Sequence, residues 1–291
     1  MLFLATVVTT TIAGIFQYAA FKAGFTDDLM EMSLGLAIRG LWYSVSILSI
    51  LGAHEFGHYF ACRYYGVNAS LPYFVPAPLL SGTLGAVIRI RQPFPHKRAL
   101  FDIGIAGPIA GFVVAIPVLL IGMYLSTVVR VPEDFQGVIY DLGEPLLFKM
   151  ASWLRFGPVA DGYTVNMHPM VFAAWIGMLA TTMNLFPMGQ LDGGHISYAV
   201  LGRRSTAVTL ITLVGLIGLA AWTRSATWLV WVILNVVMLV VFGPYHPRVW
   251  DEDAPLDSAR MWLVLFAILM FALCFTPFPI EVRDLVPGVR V

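Results

Sequence analysis

Cysteine is scarce: two in 291 residues, Cys62 and Cys274, each in a separate apolar stretch. That excludes a disulfide-stapled domain and any metal site built mainly on thiolates. Charge is scarce as well, at 12% of residues, with 17 basic and 17 acidic side chains that cancel. No bulk positive field exists to attract nucleic acid, and no polybasic patch to recruit a membrane surface. Histidine occurs six times. What fills the chain instead is apolar residues, 59% of the total, with a mean hydropathy of +0.81. A water-soluble domain of this length does not have that composition, so the lipid bilayer is its first partner.

Apolar runs long enough to cross a bilayer fall at about residues 2–22, 37–63, 101–125, 168–188, 206–222, 226–243 and 260–278. The pattern predicts an all-α polytopic membrane protein with about seven transmembrane helices in one membrane domain, 1–291. The first run has no basic residue before Lys22 and no small-residue cleavage site, so it reads as a retained helix. Residues 71–95 are apolar but carry Pro72, Pro76, Pro78, Gly82 and Gly85, which argues against a helix there. Arg63, Arg89, Arg91, Lys97 and Arg98 follow the second run, and Arg203 and Arg204 follow the fourth. Those loops are expected on the cytoplasmic side. The 126–166 loop, with Glu133, Asp134, Asp141, Glu144 and Asp161 against Arg130, Lys149 and Arg155, is expected outside.

Within the second run stands His54-Glu55-Phe56-Gly57-His58. Histidines at i and i+4 share one face of a helix and can reach one Zn2+, while the intervening Glu can accept a proton from water held there. Chance produces such a match about 0.003 times in a chain of this composition. Ionisable groups inside an apolar span are costly, so they are expected to be functional. A helical rise of roughly 1.5 Å per residue sets His54 about 14 Å before Arg63, submerged but nearer the cytoplasm.

Catalytic zinc generally takes three protein ligands, so a third must come from elsewhere. Asn184 to His195, Asn-Leu-Phe-Pro-Met-Gly-Gln-Leu-Asp-Gly-Gly-His, offers Asp192 among Pro187 and glycines 189, 193 and 194, which are expected to interrupt a helix. An ordinary loop uses Gly and Asp too, so this segment alone leaves both readings open.

The two motifs together, in this order and on separate spans, resemble the site-2 protease family of intramembrane zinc metalloproteases. Gly82 to Ile88, Arg98 to Ile103 and Ala106 to Gly111 are similar to its bacterial and plastid members, and the likeness covers 36–202. The resemblance implies that His54, His58 and Asp192 bind Zn2+, that Glu55 is the general base, and that Asn184 contacts the substrate backbone. It implies a catalytic core over 36–202, accessory helices over 203–291, and a bacterial inner membrane or plastid-type membrane as the setting. The substrate it implies is a transmembrane protein, by analogy a membrane-anchored regulator such as an anti-sigma or transcription factor. The 126–166 loop is expected to be too short for an inserted PDZ domain, and the segment after Pro279 too short for a nucleotide-binding module.

A peptide bond in a transmembrane helix is shielded until the helix unwinds, so something must hold an extended strand. Residues 83–91 alternate with a two-residue period, which predicts a re-entrant β-hairpin between the second and third spans, with Gly85, Ala86, Val87 and Ile88 pairing with substrate. The alternative is a hairpin that only packs against helices. His195 reads as a polar contact near the helix restart, its alanine variant keeping zinc. His96, His168 and His246, beside prolines or helix ends, are expected at the surface or interface. Asp102 is expected to pair with Arg98, and Gly107, Gly111 and Ala115 to form a small-residue packing stripe. A di-iron desaturase needs more histidines than these, a transporter needs paired broken helices, and a non-proteolytic membrane chaperone or scaffold of the same fold is expected to have lost Glu55 or a ligand. The sequence carries no sign of oligomeric state.

Overall fold

In the computed structural model the described residues are 1–25, 33–132, 138–243, 245–246, 249–252 and 255–284. Glu133 and Asp134, counted above in the outer loop, lie outside them. The fold is mostly helical: α1 Leu2–Ala23, α2 Leu34–Tyr64, α3 Lys97–Leu125, α4 Leu146–Phe156, α5 Pro169–Leu185, α6 Asp192–Leu201, α7 Ser205–Thr223, α8 Ala226–Phe242 and α9 Ser258–Cys274. Three antiparallel strand pairs accompany them: β1 Tyr73–Pro76 with β2 Thr83–Val87, β3 Thr127–Arg130 with β5 Tyr163–Asn166, and β4 Val138–Leu142 with β6 Ile280–Asp284.

Among the described residues four helices are long and apolar enough to cross a membrane: α1, α2, α3, and a continuous run from Asp192 to Thr223 that joins α6, a short 3-10 turn and α7. The fourth, sixth and seventh runs read from the sequence correspond to α5, α8 and α9, of 17 residues each. Such a helix is about 25 Å long, short of a hydrocarbon core of roughly 30 Å. The starts of α2 and α3 are capped by side chains: Ser33 Oγ accepts from Leu36 N at 3.2 Å, and His96 Nδ1 accepts from Ala99 N at 3.0 Å.

The core lies where α2, α3 and α5 meet. Ile50, Phe101, Leu119, Met123, Val171, Trp175 and Met178 are all buried there, and Trp175 Nε1 donates to Gly143 O at 2.8 Å. On the other side α1 crosses α2 at Gly14 and Gly40, where a Cβ on either would strike the facing backbone. By contrast α7 and α8 expose Ile211, Val214, Val240 and Val241, a surface suited to lipid.

After α2 the chain turns back. The tip of the β1–β2 hairpin is tied to α1 and α2 by Thr9 Oγ1 donating to Gly82 O (2.7 Å), Gln17 Nε2 to Leu80 O (3.2 Å) and Tyr43 OH to Ser81 O (2.8 Å). Gly82, at φ 70°, is needed there, because a Cβ would sit 2.6 Å from Thr10 Cα. Tyr43 precedes His54 by eleven residues, about 16 Å of helix, so the strands pass the level of the histidines. The expected strand over 83–91 is regular only to Val87. Beyond Val87 the register shifts by one residue and the pairing resumes as a single bridge, Ala69 opposite Ile90, with Ser70 N donating to Arg89 O and Arg91 N to Asn68 O.

Candidate metal centre

On α2, His54 and His58 stand one turn apart and both are buried, with their Nε2 atoms 3.1 Å from each other. His58 Nδ1 lies 2.7 Å from Ile103 O. A carbonyl only accepts, so Nδ1 carries the proton and the Nε2 lone pair points inward. Pro108, four residues past Gly104, has no N–H to give the Gly104 carbonyl, the one next to Ile103 O.

Asp192 arrives from the opposite side as the first residue of α6. Helix α5 ends at Leu185; Pro187 and Gly189, at φ 49°, make the break that lets α6 start in a new direction. Gly193 and Gly194, expected to help interrupt the helix, instead lie inside α6. A Cβ at either would strike the carbonyls of Leu185 to Gly189, so they allow the first turn of α6 to close onto its own break. That brings Asp192 Oδ2 to 3.2 Å from His54 Nε2 and Oδ1 to 3.3 Å from His58 Nε2.

One ligand atom from each of the three residues lies within 4.8 Å of the others, and among the described residues this is the only such cluster of three. Asp192 Oδ2 is buried without a hydrogen-bond partner. Lone pairs that converge with no proton to share are costly unless a cation lies between them. Two imidazoles and one carboxylate fit Zn2+, leaving one position for water. Glu55 is buried next to this cluster, and the backbone of Ile88 lies close enough to bear on its carboxylate. Asn184 Nδ2 lies 3.3 Å from His54 Nε2.

The third helix does more than pack. A Cβ on Gly107 would run into the His58 ring, one on Gly111 would sit 3.1 Å from His54 Cβ, and one on Gly104 would sit 2.9 Å from His195 Cβ. Each glycine is a socket for an imidazole. Sequence spacing identified Gly107 and Gly111 as a packing stripe, but not what they pack against; Gly104 and Ile103 O escaped notice altogether.

Other expectations fall differently. Asp102 pairs with Arg260 of α9 in a two-bond fork (2.9 and 2.5 Å) rather than with Arg98, whose Nε donates to Pro255 O at 2.8 Å. A planar guanidinium reaching from α9 matches both carboxylate oxygens. His96 and His168 cap α3 and α5. His168 and His246 are buried, not superficial, and His246 Nε2 lies 2.7 Å from His195 Nδ1. His195 points to that partner, outside the cluster of three.

The sequence model for Peptidase family M50 matches residues 42–223, well over half of the chain, including His54, Glu55, His58, Asn184 and Asp192. The chain belongs to peptidase family M50. Among its curated relatives are proteins named as zinc metalloproteases. It is 30% identical over 259 residues to the "Probable zinc metalloprotease EGY2, chloroplastic" of Arabidopsis thaliana, an alignment covering 87% of this chain and 45% of that one. It is 29% identical over 272 residues to the protein of the same name in Oryza sativa subsp. indica, covering 89% and 47%. With the "Probable zinc metalloprotease EGY1, chloroplastic" of Arabidopsis thaliana it shares 33% identity over 185 residues, 60% of this chain and 32% of that one. This M50 chain thus spans about half the length, or less, of the curated relatives it matches. No solved structure matches it.

Proposed function

We propose that this chain is an intramembrane zinc metalloprotease that hydrolyses a peptide bond within or near a transmembrane segment of a membrane-anchored protein, a regulator by analogy. The observation that carries the reading is the convergence of His54, His58 and Asp192 beside the buried carboxylate of Glu55, among apolar helices. M50 membership and the names of the relatives support it. In this reading all seven apolar helices cross a multi-pass membrane domain, the three short ones with local thinning of the bilayer, and 36–202 forms the catalytic core. The centre lies about 15 Å from the Tyr64 end of α2, the end rich in basic loops, and hence nearer the cytoplasm.

His54, His58 and Asp192 hold the metal, and the Ile103 carbonyl keeps His58 in the tautomer that can do so. A zinc ion bound there supplies a Lewis acid that lowers the pKa of water and polarises a carbonyl. Glu55 accepts the proton from the attacking water and returns it to the departing amine, a role for a buried base within reach of the scissile bond. Asn184, beside His54, donates its amide to the substrate backbone.

The hairpin re-enters the membrane from the Tyr64 side and presents a strand edge to the unwound substrate. The direction of that edge follows from parity. Arg89 O and Arg91 N bond inward to Ser70 and Asn68, so the backbone groups of Ile88, and by the same alternation of Ala86, point to the opposite edge, towards Glu55. Gly85 and Val87 stand opposite Val75 and Tyr73 of β1 and belong to the strand that the substrate would join.

Purified protein in detergent, assayed for bound zinc and for cleavage of a model transmembrane substrate, tests the reading. Glu55→Gln is expected to keep zinc and lose about 10²- to 10⁴-fold in cleavage rate. Cleavage by Glu55→Gln at the wild-type rate would sink the mechanism.

A further inference from the structure

Helix α6 has a precarious place. It is ten residues long, it is cut off from α5 by the break at 186–191, and its first residue is Asp192. Its far end runs on through a 3-10 turn into α7, but its first turn, which carries Asp192, has no helix before it and depends on what it packs against. One face of it meets α3 at Gly104. It also touches α5 and α7, and Gly193 and Gly194 close onto the carbonyls of Leu185 to Gly189; further contacts come from described residues between α8 and α9.

His195 and Tyr198, three and six residues after Asp192, are both held by that connection. His195 Nδ1 lies 2.7 Å from His246 Nε2. The Tyr198 ring stacks on the His246 ring, with centroids 4.4 Å apart and planes 20° from parallel, and its hydroxyl donates to Glu252 Oε1 at 2.8 Å. The same stretch is tied by backbone to the approach to α3: Trp250 N donates to Phe94 O at 3.2 Å and Asp251 N to Pro95 O at 3.1 Å. Just beyond, Arg98 Nε donates to Pro255 O, and the Arg260 guanidinium forks onto Asp102. Helix α3, in turn, orients His58 through Ile103 O. The two helices that flank the metal-binding groups are therefore cross-tied from outside by one piece of chain. His195 and His246 are not themselves a metal centre, since among the described residues only His54, His58 and Asp192 bring three ligand groups together.

We propose that the described residues between α8 and α9, 245–246, 249–252 and 255–257, act as a strap that sets the position of α6, with His246 and Glu252 as positioning residues that hold Asp192 at the metal. The proposal rests on the reading of Asp192 as a zinc ligand, and it gives the C-terminal helices a role: they anchor the strap.

The test uses the full chain in detergent, with zinc affinity measured by chelator competition and ligand geometry by the visible absorption of the Co2+-substituted protein. His246→Ala is expected to keep zinc but bind it about tenfold more weakly, at the low end for groups that orient ligands, and to shift the Co2+ spectrum. His246→Gln, whose amide can bond His195 Nδ1, should restore both. Tyr198→Phe removes only the hydroxyl and should weaken zinc by roughly threefold, the worth of about 0.7 kcal/mol for one hydrogen bond. Tyr245→Ala, on the same connection with an exposed ring, should match wild type. Wild-type affinity and spectrum in both His246→Ala and Tyr198→Phe overturn the proposal, as does a loss that His246→Gln fails to restore. Should His246→Ala not fold, Tyr198→Phe decides alone. The parent reading fails differently: Asp192→Ala would then bind zinc as wild type does, or a zinc-loaded wild type would cleave nothing while the strap variants still weakened zinc.

Discussion

Glycines 104, 107 and 111 of α3 and glycines 215 and 218 of α7 occupy the same chemical setting, the interior of a long apolar helix, yet their neighbours differ completely. A Cβ on the α3 glycines would collide with or crowd His195, His58 and His54, whereas a Cβ at Gly215 or Gly218 would meet nothing within 4 Å. In α3 the missing side chain is filled by an imidazole belonging to another helix. In α7 it faces open space that lipid can occupy, and the residue only weakens the helix, by about 1 kcal/mol relative to alanine. A small residue in a membrane helix is thus ambiguous until its neighbour is known.

Substitutions at these positions can break the comparison. Gly107→Ala should have the largest effect: the His58 ring has nowhere to go without leaving Ile103 O, so zinc affinity should fall by about 100-fold, checked by chelator competition. Retention of wild-type zinc affinity would mean that α3 moves freely and is no socket. Next comes the strand edge opposite. Ile88→Pro removes the N–H that faces Glu55 and should slow cleavage of a transmembrane substrate by about tenfold, the worth of one well-placed hydrogen bond, with zinc content unchanged. An equal rate would leave the hairpin as packing alone. Gly111→Ala is milder, because His54 Cβ would have to yield only a few tenths of an ångström from 3.1 Å. It should cost about 1–2 kcal/mol, seen as a lower melting temperature in detergent and a few-fold weaker zinc. Gly215→Ala and Gly218→Ala should leave zinc and cleavage as they are and change stability by about 1 kcal/mol at most, in the stabilising direction.

Much of the centre was legible before any coordinates. His54 and His58 must share a face if 37–63 is helical, and Asp192 follows Pro187 and Gly189, which end a helix for covalent reasons. The two-residue alternation over 83–91 marked a strand, of which 83–87 is regular. Other features were not legible, each for a physical cause. Ile103 acts through its carbonyl, which every residue has, so no side chain announces it. Gly193 and Gly194 read as helix breakers, but contact with the carbonyls of Leu185 to Gly189 decides that they lie inside α6. Arg98 lies four residues before Asp102, the ordinary helical pairing distance, yet Arg260, 158 residues later, takes the carboxylate with a better geometry. His246 looked superficial beside a proline, and it is buried against His195 and Tyr198.

Sequence alone determined what depends on composition and local spacing: that the chain lives in lipid, that α2 carries two imidazoles and a carboxylate on adjoining positions, and that a carboxylate waits at a broken helix. Only the tertiary structure decided which distant groups complete and support that site, from Asp192 at 3.2 Å to the glycine sockets of α3 and the link that grips α6. Periodicity is set by the backbone over a few residues, but the meeting of helices 130 residues apart is chosen by packing, and packing leaves no local trace in the chain.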